Sequence, residues 1–173
     1  PQFHYHERLK VLNNLTEKIR NKYDSYLILA LLVVDYSNNY EYFCHKYKTS
    51  NAIKKRFKYI SENFENLKDK KFYTEENIKK LIYFSDKKSV MDLLLFSICE
   101  NTKIKTDTIE KLLNYIISCE MPKFPISGDY LKEYGYETGQ ELGKKLKLLE
   151  ERWIENNFVI DKKILEKSLG KVR

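Results

Sequence analysis

The sequence contains few of the residues that form disulfides or membrane spans. Its three cysteines, Cys44, Cys99 and Cys119, lie far apart and form no CxxC pair. They indicate no disulfide framework, so we expect a reducing, intracellular compartment, the cytoplasm. The longest apolar run, YLILALLVV at 26–34, is about half the length of a membrane-spanning helix, and it starts too far into the chain for a signal peptide. We therefore expect a buried core helix there and no contact with a membrane.

Glycine and proline are also scarce. Four of the five glycines fall within 128–143 and none precedes that stretch, while Pro122 and Pro125 form the only clear break in the chain. The period-two alternation of half-buried strands is missing, and helical spacing recurs throughout. The sequence therefore predicts an all-α protein, a multi-helix array without a sheet. It divides into a helical body domain at 1–121 and a helical tail with a glycine-containing hairpin at 122–173.

Apolar periodicity and capping residues predict about seven helices up to Cys119 and three in the tail. The apolar stripe at positions 9, 12, 15 and 19 predicts one continuous first helix that ends near Asn21. The segments SVMD from Ser89 and DTIE from Asp107 resemble N-caps followed by a carboxylate, so we expect helices to begin there. The last tail helix is predicted to begin at Asp161.

The charge balance is positive and uneven. The chain carries a net charge of +7 and has 27 lysines but only 5 arginines; between His45 and Lys88 there are 13 basic and 6 acidic residues. This excess indicates an acidic partner such as nucleic acid, although a solvated face of a lysine-rich helix explains it equally well. The candidate RNA contacts in this region are Lys54, Lys55, Arg56 and Lys58.

The clustered glycines admit two interpretations. As structural turn residues, Gly128 and Gly135 bound a short helix capped by Ser127, and Gly143 lets another helix approach closely. As a binding device, the amides around Gly139 at the start of the next helix hold a phosphate. The lysines that follow this helix start are Lys144, Lys145 and Lys147.

The segment FPISGDYLKEYGYETGQELGKKLKLLEERWIENNF, which begins at Phe124, resembles the C-terminal motif of bacterial CCA-adding tRNA nucleotidyltransferases and related poly(A) polymerases. That motif runs P-hydrophobic-S/T-G-x-D-L, continues through spaced glycines and ends in a leucine-rich helix. The matching residues are Pro125, Ser127, Gly128, Leu131, Gly135, Gly139, Gly143, Leu146 and Leu149. The sequence departs from the motif at Tyr130, where the family has aspartate, and at Thr138 and Gln140, where it has proline.

The resemblance implies a nucleotidyltransferase whose chemistry lies elsewhere. In that family a catalytic head carries a G-S motif and a D-x-D pair that binds Mg²⁺. This chain has no glycine before Gly128 and no two aspartates two positions apart, so we expect no catalytic residue, no metal site and no activity from it alone. Mg²⁺ and CTP or ATP would bind to a head supplied in cis or in trans. Because the chain starts at Pro1 without a methionine, we expect a fragment of a longer protein.

The function implied by the resemblance is that of a non-catalytic C-terminal region in tRNA processing. It would bind tRNA or another RNA and position the RNA 3′ end for the separate catalytic head. The alternative is a helical protein–protein interaction module without RNA binding. Binding to RNA that weakens steeply with salt would distinguish the first function from the second.

Overall fold

The computed structural model describes residues 6–100, 104–160 and 165 of the chain. Within these ranges the chain forms ten α-helices, two short 3₁₀ helices and no strand, which confirms the predicted all-α class. The described residues divide into two compact units, one within Pro1–Cys119 and the other within Glu120–Arg173. In the same ranges, no helix has the length and apolar character that crossing a membrane requires.

The first unit contains eight of these α-helices, one more than the sequence predicted. They are α1 (His6–Asn13), α2 (Glu17–Arg20), α3 (Ser25–Val33), α4 (Asn39–Lys46), α5 (Asn51–Asn63), α6 (Glu75–Phe84), α7 (Lys87–Cys99) and α8 (Thr106–Ser118). The 3₁₀ helices Glu65–Lys68 and Lys70–Phe72 connect α5 to α6. The second unit contains α9 (Gly128–Glu133) and α10 (Gln140–Glu155). The predicted start of a third tail helix, Asp161, lies outside the described residues.

The additional helix arises because the predicted first helix is interrupted. α1 ends at Asn13, and α2 begins only after Thr16, whose backbone is extended with ψ near 152°. Asn13 and Asn14 have low helix propensity, and the side chain of Thr16 favours a helix start over a helix interior. The apolar spacing correctly indicated burial across the break, where the buried residues are Leu12, Leu15 and Ile19.

Two predicted helix starts were misplaced. α7 begins at Lys87, because the Asp86 carboxylate accepts hydrogen bonds from the Ser89 amide at 2.8 Å and the Ser89 hydroxyl at 2.9 Å. Ser89 is consequently a buried residue of the first turn and not the cap. α8 begins at Thr106, so Asp107 lies inside its first turn. In both places the helix begins slightly earlier in the chain than the sequence predicted.

α7 is the central helix of the first unit and packs against α1, α3, α5, α6 and α8. Its residues from Leu93 to Phe96 are completely buried on every face of the helix. A helix that is apolar all round is stable only when other helices surround it. The apolar run at 26–34 forms α3 and supplies one of these neighbours, as the sequence predicted.

A buried arginine ties three of these helices together. Arg8 on α1 is only 4% exposed, and its Nη1 donates to the carbonyl oxygens of Leu31 at 3.1 Å and Val34 at 2.7 Å. Those carbonyls lie at the end of α3, where the helix leaves them without intrahelical donors. The guanidinium also pairs with Glu100 at the end of α7 and lies 4.7 Å from the centre of the Phe96 ring. The sequence did not predict the burial of Arg8, because no pattern of neighbouring residues distinguishes a buried arginine from an exposed one.

The second unit is a helical hairpin whose turn depends on one glycine. Gly135 follows Tyr134, the C-cap of α9, and has φ of 89°, a conformation that strains residues with a Cβ atom. The Gly135 amide donates to the Lys132 carbonyl at 2.9 Å, and the Tyr136 amide donates to the Leu131 carbonyl at 3.3 Å. These two bonds form a Schellman motif that closes the end of α9. The hairpin core consists of Ile126, Leu131, Leu142 and Leu149.

Candidate nucleic-acid interface

Arg56, one of the four candidate RNA contacts on α5, lies in an ion-pair network between helices. Its guanidinium contacts both oxygens of Asp24, at 2.8 and 3.0 Å, and donates through Nε to Asp92 at 2.5 Å. Lys88 lies 3.3 Å from both carboxylates. Asp92 is only 1% exposed, so removal of Arg56 would leave a buried carboxylate with one weaker partner. The structure therefore gives Arg56 a role in joining α3, α5 and α7, and protein carboxylates already engage this candidate RNA contact.

The charge states of these side chains keep the Arg56 guanidinium bound to Asp24 and Asp92. Burial raises the pKa of the Asp92 carboxyl above its ordinary value, while Arg56 and Lys88 limit the rise. Burial also disfavours the charged form of Asp24, but hydrogen bonds from Arg56 and the Leu27 amide hold its pKa well below the usual range. Burial likewise opposes the charge of Arg56, and the two carboxylates outweigh it and raise the pKa of Arg56. Arg56 thus stays charged and bound to protein carboxylates.

The three candidate lysines on α5 remain accessible. Lys54 is exposed and has no ion-pair partner among the described residues, whereas Lys55 lies 3.5 Å from Asp86 and Lys58 lies 3.5 Å from Glu62. These distances are long, and each ammonium is largely in water. Exposed pairs of this kind contribute about 0–1 kcal/mol and are readily exchanged for another anion. All three lysines are therefore available for a phosphate.

The chain around α4 and α5 contains a stretch that has basic residues but no acidic ones. Residues 42–61, hereafter the acid-free stretch, contain six lysines and arginines and no aspartate or glutamate. The stretch runs from the middle of α4 through most of α5. The first turn of α5 also lacks an acidic residue, although carboxylates are the side chains that a helix N-terminus favours. The stretch itself therefore supplies no negative charge near this helix start, and the acidic partners of its basic side chains lie outside it.

A sharp reversal between α4 and α5 exposes Lys48. This lysine has φ of 49°; its amide donates to the His45 carbonyl at 3.4 Å, and the Thr49 amide donates to the Cys44 carbonyl at 3.1 Å. The pattern is a Schellman motif with lysine in the left-handed position that glycine usually occupies. A non-glycine residue in that conformation costs about 1–2 kcal/mol. The motif fixes the direction in which the chain presents Lys48 at the corner between the helices.

The tail glycines differ from one another in their surroundings. Gly139 precedes α10 with φ of 154° and no side-chain cap, and a Cβ atom placed there meets no described atom within 4 Å. The same holds for Gly143, so the prediction that another helix packs closely there is wrong for the described part of the chain. A Cβ atom at Gly128 would instead lie 3.4 Å from Leu142. Of these three glycines, Gly128 is therefore the one that packs against the facing helix.

The three candidate lysines of the tail each lie near a carboxylate or an aromatic ring. Lys144 lies 2.9 Å from Glu141, Lys147 lies 3.9 Å from Glu151, and the Lys145 ammonium lies 5.8 Å from the centre of the Tyr136 ring. Glu141 belongs to the first turn of α10, where its carboxylate interacts favourably with the helix dipole and competes with a phosphate. The acid-free stretch is thus the less compensated of the two basic regions.

Gly143→Ala is expected to raise the free energy of unfolding by about 0.5–1 kcal/mol. Glycine is a poor helix former, and the added methyl group at this exposed helical position meets no described atom. Urea unfolding monitored by circular dichroism measures the change. Gly135→Ala is the matched control and should destabilise by about 1–2 kcal/mol, because its φ is positive. A loss of stability on Gly143→Ala would contradict the open environment.

The three cysteines lie in the interior of the protein and form no disulfide. Cys44, Cys99 and Cys119 are free thiols in the interior, and burial raises the pKa of Cys99 to about 12. A thiol with such a pKa carries almost no thiolate at neutral pH and is a poor nucleophile. In those same ranges, no three histidine, cysteine or acidic side chains are grouped closely enough to hold a metal ion.

Comparison with known proteins extends the resemblance from the tail to nearly the whole chain. No curated protein matches the chain. The model of the family "tRNA nucleotidyltransferase domain 2 putative" matches residues 17–169, which include every helix from α2 to α10. Because the match covers far more than the glycine-rich segment, it confirms the resemblance. The chain belongs to the family of tRNA nucleotidyltransferase domain 2 proteins.

Proposed function

We propose that this chain is a non-catalytic RNA-binding region of a CCA-adding tRNA nucleotidyltransferase or a poly(A) polymerase-like protein. Its task is to hold tRNA, or another RNA, so that the 3′ end reaches a catalytic head. The head belongs either to the same polypeptide or to another chain, and it binds Mg²⁺ and CTP or ATP. Membership of the family supports the tRNA context, and the buried free thiols suit the reducing cytoplasm.

The observation that carries this proposal is the acid-free stretch. Phosphate groups bind lysines without sequence preference, and each contact releases counterions from the RNA. Lys54, Lys55 and Lys58 are exposed side chains of α5, and each is engaged by at most one long ion pair. Such a surface suits the backbone of a folded RNA, which is recognised by shape and charge. Arg56 is excluded from this set because Asp24 and Asp92 hold it.

The tail supplies a second, weaker contact region in this proposal. It consists of the uncapped start of α10 at Gly139 with Lys144, Lys145 and Lys147. An incoming phosphate would replace Glu141 and Glu151 as the partners of two of these lysines. The gain in binding is therefore smaller for the tail lysines than for Lys54, which has no partner in the described ranges.

The test replaces Lys54, Lys55 and Lys58 together by glutamine and keeps Arg56. We expect tRNA affinity to fall, and the slope of log K against log salt to lose about two units, because each lost phosphate contact removes somewhat under one. Fluorescence anisotropy with labelled tRNA across a salt series measures both quantities. Circular dichroism should show unchanged helicity, because all three side chains are exposed.

The matched control replaces Lys10, Lys18 and Lys111 by glutamine. This variant loses the same charge from α1, α2 and α8, outside the acid-free stretch. It should keep most of the affinity and the slope. Equal losses in both variants would show that only net charge matters, and equal binding by the first variant and wild type would contradict the proposed interface. Wild-type protein that is indifferent to RNA but binds a protein tightly would support the interaction module instead.

A further inference from the structure

Two exposed tyrosines lie beside the basic corner between α4 and α5. Tyr42 and Tyr47 are 55% and 54% exposed, and the Lys46 ammonium lies 5.9 and 5.8 Å from the centres of their rings. Lys48 follows directly and is held in its left-handed conformation. These four residues, Tyr42, Lys46, Tyr47 and Lys48, are hereafter the Tyr42–Lys48 patch.

Tyr47 is held in place by the protein, and both tyrosines leave aromatic surface in water. The Tyr47 ring packs on the buried Phe43 at 4.8 Å between centres, which restricts its motion. Tyr42 lies on the exposed side of α4, one helical turn before Lys46. Single exposed aromatic residues are common on protein surfaces. Two rings that flank one ammonium, inside a stretch without acidic residues, are a more specific arrangement.

The chemistry of the patch matches an unpaired nucleotide. Nucleobases stack on tyrosine rings, and lysine ammonium groups bind the adjoining phosphates. Bases inside a duplex have no accessible face for such stacking, whereas bases in loops and at single-stranded ends do. Within the described part of the chain, Lys46 forms no ion pair, so its ammonium can contact a phosphate without breaking one. An acidic protein surface would satisfy the lysines but would leave the aromatic rings without a specific role.

We propose that the Tyr42–Lys48 patch binds unpaired nucleotides of RNA, with Tyr42 and Tyr47 stacking on the bases and Lys46 and Lys48 contacting phosphates. The inference rests on the proposed RNA-binding function and adds the part of the RNA that is recognised. The lysines of α5 then contact the backbone of the folded RNA. The patch adds affinity only where the RNA is single-stranded.

The experiment compares an oligoadenylate with an abasic ribose-phosphate oligomer of the same length. Both probes carry the same phosphates, so the ratio of their affinities reports base contacts alone. Wild-type protein should bind the oligoadenylate about tenfold more tightly or better, since stacking of bases on the two tyrosine rings adds to the phosphate contacts that both probes share. The variant with Tyr42→Ala and Tyr47→Ala should bind both probes about equally, with the salt dependence of wild type.

Two further variants make the outcome decisive. Tyr42→Phe with Tyr47→Phe keeps the aromatic faces and should keep the ratio, which assigns the ratio to the rings and not to their hydroxyl groups. Phe84→Ala removes an aromatic ring that is 71% exposed on α6 and should also leave the ratio unchanged. A wild-type ratio near one, or an unchanged ratio in the alanine variant, would overturn the inference. If the inference is overturned but wild-type protein still binds tRNA, the proposed function stands. The variant that lacks Lys54, Lys55 and Lys58 tests the proposed function separately, through its loss of tRNA binding.

Discussion

Arg56→Leu is expected to lower the free energy of unfolding of the first unit by about 3–5 kcal/mol. The substitution removes the closest hydrogen-bond partner of Asp92, a carboxylate that is 1% exposed. It also breaks the bidentate contact between Arg56 and Asp24. An uncompensated buried charge is one of the costliest defects in a folded protein. Lys88 at 3.3 Å compensates only in part. Urea unfolding followed by circular dichroism measures the loss.

The double variant with Arg56→Leu and Asp92→Leu tests the reason for that loss. With both buried charges replaced by apolar side chains, most of the lost stability should return, because folding no longer requires the desolvation of these two ions. Asp24 stays in place and continues to cap α3 through the amides of Tyr26 and Leu27. If the single substitution costs less than about 1 kcal/mol, the network does not hold α3, α5 and α7 together.

Arg8→Leu is expected to cost about 3 kcal/mol or more. The leucine cannot donate to the carbonyls of Leu31 and Val34 or pair with Glu100. Buried acceptors that lose their donor cost about 1–3 kcal/mol each, and more when the group is charged. Thermal and urea unfolding measure the effect, which should exceed that of any substitution of an exposed arginine.

Arg20→Leu provides the matched control for Arg8. Arg20 is exposed at the end of α2, and surface substitutions away from special features usually change stability by less than about 0.5 kcal/mol. Arg8→Lys should fall between the two, because a single ammonium cannot reach the carbonyls and the carboxylate in the same geometry. Equal stability of the Arg8→Leu and Arg20→Leu proteins would contradict the capping role of Arg8.

The ion-pair network of Arg56 determines how RNA-binding variants must be designed. A variant that neutralises all four basic residues of 54–58 would lose the Asp24–Asp92 network along with its surface charge. Weaker RNA binding by that protein would then report unfolding and surface chemistry together. The variant that keeps Arg56 separates the two effects, since Lys54, Lys55 and Lys58 are exposed.

The amino-acid sequence by itself determined the helical class, the hairpin turn and the family. Helical spacing of apolar residues is a local property, because residues three and four apart share a face wherever the helix packs. The left-handed residue after α9 was predictable for a similar reason, since glycine is the residue that adopts it without strain. The segment from Phe124 was enough to suggest a family that the match over 17–169 then confirmed.

The tertiary structure decided which charges and glycines are buried in contacts between elements. Asp24 and Arg56 are separated by 32 residues and Arg56 and Asp92 by 36, so no local pattern distinguishes Arg56 from the lysines beside it. Gly128, and not Gly143, faces the neighbouring helix because the rotation of α10 turns Leu142 inward and Gly143 toward solvent. That rotation is set by the apolar core of the hairpin as a whole, and packing of this kind exists only once the helices have come together.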